Sequence, residues 1–380
     1  MNRVSHTLAA CLAALSLTAL AACAPPAPPI DPTGDDLQAA LDALVERADG
    51  PVGIITVVDD GGAVTVRSAG QRALGTGVAP SATDHMRIAS LSKALTAATA
   101  YTLVDDGVLE LTDTIGDWRP DLPLAWHPIT LRQLLTHTSG VPDFAVPAFF
   151  AAVGASPDVA SPPAEILGFA GTGTVFDPGD KYTYSNSNPF VTALIIESAT
   201  GENFADVLSE RVLLPLGMSD TSLPATTPNV PSPRMEGYQP FTDGTLENVT
   251  EQINFGGWAW ASGGVVSTPA DLTKFIRGYV GGDLYSGALR DEQFRFVVPG
   301  NSEPRGPGDN SAGAGLFRYR TRCGTVYGHT GSITGYTQFM ASTRDGSKSV
   351  TFTITNQYGA ELLPDLRAAE ELAVCAALGR

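Results

Sequence analysis

DHMRIASLSKALTAATAYTLVDDG, residues 84–107, reads as a helix that is apolar on nearly every face and opens with a serine and a lysine one turn apart. With Ser90 taken as its first residue, Leu91, Ala94, Leu95, Ala98, Tyr101 and Thr102 recur at three- and four-residue steps, while Ala97 and Val104 fill the other side. No broad polar face is left for water, so the helix belongs inside the protein. Gly107, after Asp105 and Asp106, supplies the stop. An ammonium at the head of such a helix costs several kcal/mol unless it has partners, and Lys93 therefore needs a reason to be there. The three-residue spacing puts its amine on the same face as the Ser90 hydroxyl, where it can help remove a proton. Peptide N–H groups and the positive dipole end favour negative charge arriving at that serine. Of the four lysines (Lys93, Lys181, Lys274, Lys348), only Lys93 has a serine three positions before it. Taken alone, the pair fits a partnered structural lysine as well as a catalytic one.

Outward from this helix the chain changes character at both ends. Residues 36–48 carry Leu37, Leu41, Leu44, Val45 and Ala48 on one stripe, an amphipathic helix. Strands follow at 52–58 and 63–68 around Asp59-Asp60-Gly61-Gly62, a hairpin signal. The middle is mainly helical, with a short helix in ITLRQLL (129–135), short helices and loops at 144–179, and helices at 189–199 and 203–212. A long loop at 224–255 holds a small hairpin near Tyr238 and Leu246, and a helix at 269–280 is capped by Ser267 or Thr268. After a glycine-rich loop around 300–315 the period becomes two, with strands at 316–321, 325–329, 335–342 and 349–355, before a last helix opened by Pro364. The fold class that follows is α/β, an antiparallel sheet flanked by helices with an inserted mainly helical domain. The expected boundaries are 36–84 with 262–380 for the sheet domain and 85–261 for the helical one.

At 380 residues, 43% hydrophobic and 17% charged, the chain has enough apolar material for one large core or two adjoining ones. A net charge of −17 repels nucleic acid and anionic lipid headgroups, so neither is an expected partner surface. Residues 1–22, with Arg3 before an apolar run too short to span stably, read as an export signal. Leu20-Ala21-Ala22-Cys23 resembles the lipobox of bacterial lipoproteins, in which the cysteine is lipidated, and the proline-rich stretch 23–35 reads as an extended tether. The expected location is the outer side of a bacterial cell membrane, held only by an N-terminal lipid; ordinary secretion is the alternative. Cys323 and Cys375, both in the exported sheet half, are expected to be disulfide-bonded.

Two further pieces carry chemistry. Tyr184-Ser185-Asn186, in a loop before a helix, presents a phenol and a carboxamide side by side. His329-Thr330-Gly331 ends one strand and precedes Ser332, where small residues leave room for a substrate backbone along an edge. Read singly, the first is an ordinary turn signal and the second a strand end. Together with Ser90-x-x-Lys93 they resemble the penicillin-recognising serine hydrolases: class C β-lactamases, soluble D-alanyl-D-alanine carboxypeptidases and related esterases. That family carries Ser-x-x-Lys, Tyr-x-Asn and Lys/His-Thr-Gly in this order. LLTHTSGVPDF (134–144), ESATGENFADVLSERVLLPLGMSDT (197–221) and WAWASGGVVSTPADLTKF (258–275) also look like it, so the resemblance covers roughly 37–375.

The resemblance implies an acyl-enzyme hydrolase without cofactor or metal, a monomer acting on D-alanyl-D-alanine-type peptides, small esters or amides, and penicillin-reactive. Ser90 becomes the nucleophile, Lys93 its proton acceptor or electrostatic helper, and Tyr184 the general base and acid. Asn186 would hold the substrate amide, the backbone N–H groups of Ser90 and Ser332 would form an oxyanion hole, and His329, Thr330 and Gly331 would line the substrate strand. Trp258 looks like a pocket wall. Arg318, Arg320 and Arg322 lie near the place where carboxypeptidases of the group hold a substrate carboxylate, but none aligns securely. β-Lactamase activity and a non-catalytic wall-peptide-binding lipoprotein are the alternatives. The chain has no Gly-x-Ser-x-Gly elbow and no HExxH, and His137 reads as a turn-stabilising residue. His329 stands where class C β-lactamases carry lysine, which implies weak capture of a β-lactam carboxylate.

Overall fold

The computed structural model describes residues 35–380 apart from 241–244, 286 and 298–299. The export signal 1–22, Cys23 and the tether lie outside the described residues, except that Asp35, placed in the tether, opens helix α1 (Asp35–Glu46). Seven strands form one antiparallel sheet: β1 (Gly53–Asp59), β2 (Val64–Gly70), β3 (Asp309–Ala312), β4 (Phe317–Thr321), β5 (Gly324–Ile333), β6 (Tyr336–Ser342) and β7 (Ser349–Ile354), in spatial order β2-β1-β7-β6-β5-β4-β3. The first strand of the sheet pairs with the last, β1 with β7, in the register Ile54↔Ile354 to Asp59↔Ser349. GIITVVD is buried at every position because β1 has a neighbour on each side and layers on both faces.

Period-two alternation sorts the two faces. Phe339 and Ala341 of β6, with Phe352 and Ile354 of β7, join Leu37, Leu41 and Leu44 of α1 and Leu366 and Ala373 of α5 (Leu363–Leu378). Tyr336 and Met340 face the opposite way, into a larger core with α2 (Ser92–Asp105), α3 (Ser187–Thr200) and α4 (Pro269–Gly281). Every residue of α2 from Ser92 to Leu103 is buried, which is why its sequence offers no polar face. Short antiparallel pairing of Met86–Arg87 with Val266–Ser267 ties the two regions together just ahead of Ser90. We propose the sheet and helical regions as two lobes of one compact unit.

Three local expectations need correction. Ser90 is not the first residue of an α-helix: it sits in a 3₁₀ turn, Ala89–Leu91, and α2 proper begins at Ser92, because Ala89 takes a left-handed φ of 50°. His329-Thr330-Gly331 does not end its strand, since β5 runs on to Ile333 with Gly331 opposite Gln338 and Ser332 opposite Thr337. Asp309–Ala312, placed in a glycine-rich loop, is the edge strand β3. Its sequence DNSA has neither branched residues nor alternation, and pairing with β4 decides its conformation.

Cys323, just past β4, is bonded to Cys375 on α5, with Cα atoms 5.2 Å apart and a sequence separation of 52. Removing the bond by Cys323→Ala with Cys375→Ala is expected to lower unfolding stability by about 2–4 kcal/mol, read from the urea midpoint at unchanged slope. No change in midpoint would mean that the link contributes nothing.

Candidate active site

Ser90 lies half-buried where the left-handed residue Ala89 turns the chain out of the Met86–Arg87 strand. The turn is held from both sides. Ile88 N donates to Val265 O at 3.1 Å, Ser92 Oγ donates to Ala89 O at 2.7 Å, and Val265 N donates to Ser92 Oγ at 3.2 Å. Below it, Gln338 of β6 donates to Arg87 O at 2.9 Å and accepts from Thr353 Oγ1 at 2.6 Å. A strained φ of this kind costs on the order of 1–3 kcal/mol and persists only where its surroundings over-determine it.

Lys93 Nζ is 2.9 Å from Ser90 Oγ and 2.7 Å from Ser262 O. The carbonyl comes from a second strained turn, in which Trp260 has φ 29° and Thr96 Oγ1 donates to Ala261 O. Among the described residues no carboxylate is hydrogen-bonded to it, and the buried amine is pushed down by desolvation to about 7, while Asp143 and Glu303 oppose the shift from a distance.

Tyr184 presents the face of its ring to the same amine, with Nζ 5.1 Å from the centroid. Its buried hydroxyl makes no well-formed hydrogen bond in this state. Burial drives the phenol far above its ordinary pKa, and the nearby Ser90 hydroxyl only partly offsets that. The loop bearing it is built around His137, which stacks on the Tyr184 ring at 4.8 Å and is itself left-handed, with φ 54°. His137 O accepts from Thr183 N, while Nδ1 accepts from Ser185 N and from Asn188 Nδ2 at 2.9 Å. Ser139 Oγ donates to Asn188 Oδ1, so the amide can only donate to the imidazole, whose proton is thereby placed on Nε2. Desolvation, Lys93 and His329 hold His137 well below its usual pKa, and it stays neutral. It thus steadies a turn, the one that carries Tyr184. Asn186 is oriented by Asp143, whose Oδ2 accepts from both Asn186 Nδ2 at 2.9 Å and Asn186 N at 3.2 Å. The carboxamide oxygen is left free of that clamp.

β5 closes the site from the sheet side. A Cβ on Gly331 would lie 2.8 Å from Ser90 N and 2.9 Å from Ile88 O, so only glycine allows strand and turn to meet backbone to backbone. His329 is buried, and its Nδ1 donates to Thr330 O at 2.5 Å. Desolvation outweighs that bond and lowers its pKa to about 3, leaving a neutral ring. Thr330 Oγ1 donates to Pro304 O and Tyr182 OH to Asn301 O, which docks the 301–304 segment beside the site. On that segment Glu303 reaches solvent, yet desolvation and Asp143 raise its carboxyl while Lys93 opposes them.

Ser90, Asn186, Ser332 and Trp258 line one cavity of about 440 Å³; Lys93, Tyr184 and His329 do not. The predicted residues therefore fall into two groups that share Ser90: those that line the cavity, and a proton-handling cluster of Lys93 and Tyr184 that does not. The three arginines do not join them. Arg318 donates to Ser311 Oγ and lies over the Phe296 ring, Arg322 pairs with Glu371, and Arg320 opposes Asp309 on the β3–β4 edge. Sequence reading missed Asp143, Ser262, Glu303 and Gln338. Asp143 stood in the quoted LLTHTSGVPDF run, but its partner is 43 residues away. The others act through a backbone oxygen, at long range, or from beneath the turn.

The chain spans just under two thirds of the length of the curated relatives it matches first. It is 27% identical over 299 residues to penicillin-binding protein 4* of Bacillus subtilis, covering 75% of this chain and 64% of that protein. To the D-alanyl-D-alanine-carboxypeptidase/endopeptidase AmpH of Escherichia coli K12 it is 29% identical over 257 residues, or 66% of this chain and 63% of that one. The crystal structure of D-amino acid amidase from Ochrobactrum anthropi SV3 superposes with a TM-score of 0.76 at 26% identity, covering 90% of this chain and 98% of the amidase. The Beta-lactamase family model matches residues 37–374, and the chain belongs to that family.

Proposed function

We propose that the protein is a serine hydrolase that forms an acyl-enzyme on Ser90 and acts on D-amino-acid peptides, amides or small esters. The observation that carries this is the buried Lys93 amine, 2.9 Å from Ser90 Oγ and about half neutral at pH 7. As Oγ attacks the substrate carbonyl, Lys93 Nζ takes its proton, and the oxyanion faces the backbone N–H groups of Ser90 and Ser332. Tyr184 is a neutral phenol, so it serves as donor: its proton goes to the leaving nitrogen or oxygen and is replaced from Lys93. Water then attacks the acyl carbonyl with the same groups acting in reverse. Asn186, held by Asp143, offers its carboxamide to the substrate amide.

Charge favours amides and esters over β-lactams. Among the described residues around Ser90 the cation is Lys93, which titrates near pH 7, His329 is neutral, and the carboxylates of Asp143 and Glu303 stand close enough to influence Lys93. A substrate carboxylate therefore meets no fixed positive partner, which is worth about 1.5–3 kcal/mol for a charged hydrogen bond.

The sequence further supports export and a lipid tether at Cys23, which we propose as the way the enzyme is kept outside the cell. Palmitate labelling of expressing cells is expected to mark the protein, and Cys23→Ser to abolish the mark; a labelled Cys23→Ser variant would exclude this anchor.

A fluorophosphonate or fluorescent penicillin is expected to add to Ser90 in intact-mass analysis, and Ser90→Ala to remove both adduct and hydrolysis. Because Lys93 is active as the neutral amine, kcat/KM should rise with pH through an apparent pKa of about 7 and level off above it. A flat profile from pH 5 to 9 would assign the proton elsewhere. No adduct at any pH would leave the non-catalytic binding alternative. A chromogenic cephalosporin is expected to be turned over at least tenfold less efficiently than the best aryl ester; equal rates would sink the charge argument.

A further inference from the structure

The cavity beside Ser90 is lined by Ser90, Asn186 and Ser332, and the groups that handle protons, Lys93 and Tyr184, do not line it. In acyl transfer the leaving group must reach the proton donor, here Tyr184, which does not line the cavity, so the cavity is left to the acyl substituent. We propose that this cavity is an acyl-side specificity pocket for a bulky, uncharged aromatic group, so that the preferred substrates are amides or esters of an aromatic acyl unit rather than of a small one such as alanine. The assignment rests on the acyl-enzyme reading above.

Its lining is what such a group requires. Phe144, Phe149, Val153, Phe255 and Trp258 are buried residues that contribute to the wall, and Phe150 stands at the exposed rim. The rings brace one another: Phe149 meets Phe144 at 4.9 Å, Phe150 at 5.3 Å and Trp258 at 5.8 Å between centroids, in edge-on geometry. Trp258 cannot swing into the space, because its Nε1 donates to Ser156 O at 3.0 Å. The wall is therefore a preformed shape. Among the described residues no charged side chain lines it, so an acidic or basic acyl substituent would lose its hydration without gaining a partner there. Its polar side chains are uncharged: Ser90, Asn186, Ser262 and Ser332, with Thr334 and Gln357. A volume of about 440 Å³ lies within the range of small-molecule sites, and a methyl group would leave most of it unfilled.

The test compares two esters with one leaving group, p-nitrophenyl phenylacetate and p-nitrophenyl acetate, on the full mature chain, with intact-mass detection of the acyl adduct in the same samples. Wild type is expected to favour the phenylacetyl ester by about a hundredfold in kcat/KM beyond the ratio of their uncatalysed rates. Val153→Phe, which fills the cavity from its helix, and Ala145→Leu, which narrows it from a half-buried loop, are each expected to cut that preference at least tenfold. Two variants on different segments guard against one failing to fold. Adducts from both esters with equal efficiency would overturn the pocket assignment alone, as would a preference untouched in both folded variants. No adduct from either ester would overturn the acyl-enzyme reading, and the pocket with it.

Discussion

The site depends on an amine that is buried with no carboxylate in hydrogen-bond contact among the described residues. Lys93 is held by one hydroxyl and one backbone carbonyl, neither of which can neutralise it, and the surrounding core withholds water. Desolvation is therefore the main force acting on its proton, strong enough to bring a group that ordinarily titrates above 10 to about 7. A carboxylate in hydrogen-bond contact would reverse this by fixing the charge. Asp143 is instead occupied with Asn186, and Glu303 reaches solvent on the 301–304 segment, so both act on Lys93 only from a distance.

The same physics sorts the other titratable groups. Tyr184, His137 and His329 are all desolvated, and each is driven to its neutral form: the phenol up, the two imidazoles down. A cluster that contains a lysine, two histidines and a tyrosine thus carries little fixed charge. Neutral His137 keeps a lone pair on Nδ1 to accept from Ser185 and Asn188, which a protonated ring would lose. Protonating it would cost the Tyr184 loop two of the bonds that hold it.

How much of this was legible follows from how local each signal is. The buried α2, the hairpin at Asp59–Gly62 and the strands of the second half declare themselves through periodicity and turn chemistry. Ser90, Lys93, Tyr184 and Asn186 stood out only through the family resemblance of short motifs taken together, since each motif alone reads as ordinary structure, and their catalytic roles belong to the proposal. The edge strand β3 was not, because DNSA becomes a strand only by pairing with β4. Ser262 was hidden for a different reason: it contributes a backbone oxygen, and nothing in a residue's identity announces where its carbonyl points. The left-handed Ala89 and His137 were equally silent, since residues that rarely adopt that conformation give no sign of doing so.

Those strained residues explain why the site needs so much of the protein around it. Ala89 turns Ser90 out of its strand, and that turn is stable only while Ser92, Val265 and Gln338 hold its neighbours. Gln338 lies on β6 directly opposite Gly331, the residue whose missing side chain lets β5 approach Ser90 N. One cross-strand pair therefore does two tasks: one member supports the turn from below and the other packs against it. Gln338 is in turn locked by Thr353 of β7, in register with Ile55 of β1. The position of Ser90 is thus transmitted through the centre of the sheet to the β1–β2 hairpin. A sheet assembled from both ends of the chain, with the helices built between them, is the arrangement that allows this: the strands that fix the turn come last in the sequence, and Ser90 is held in its strained geometry only once they have paired.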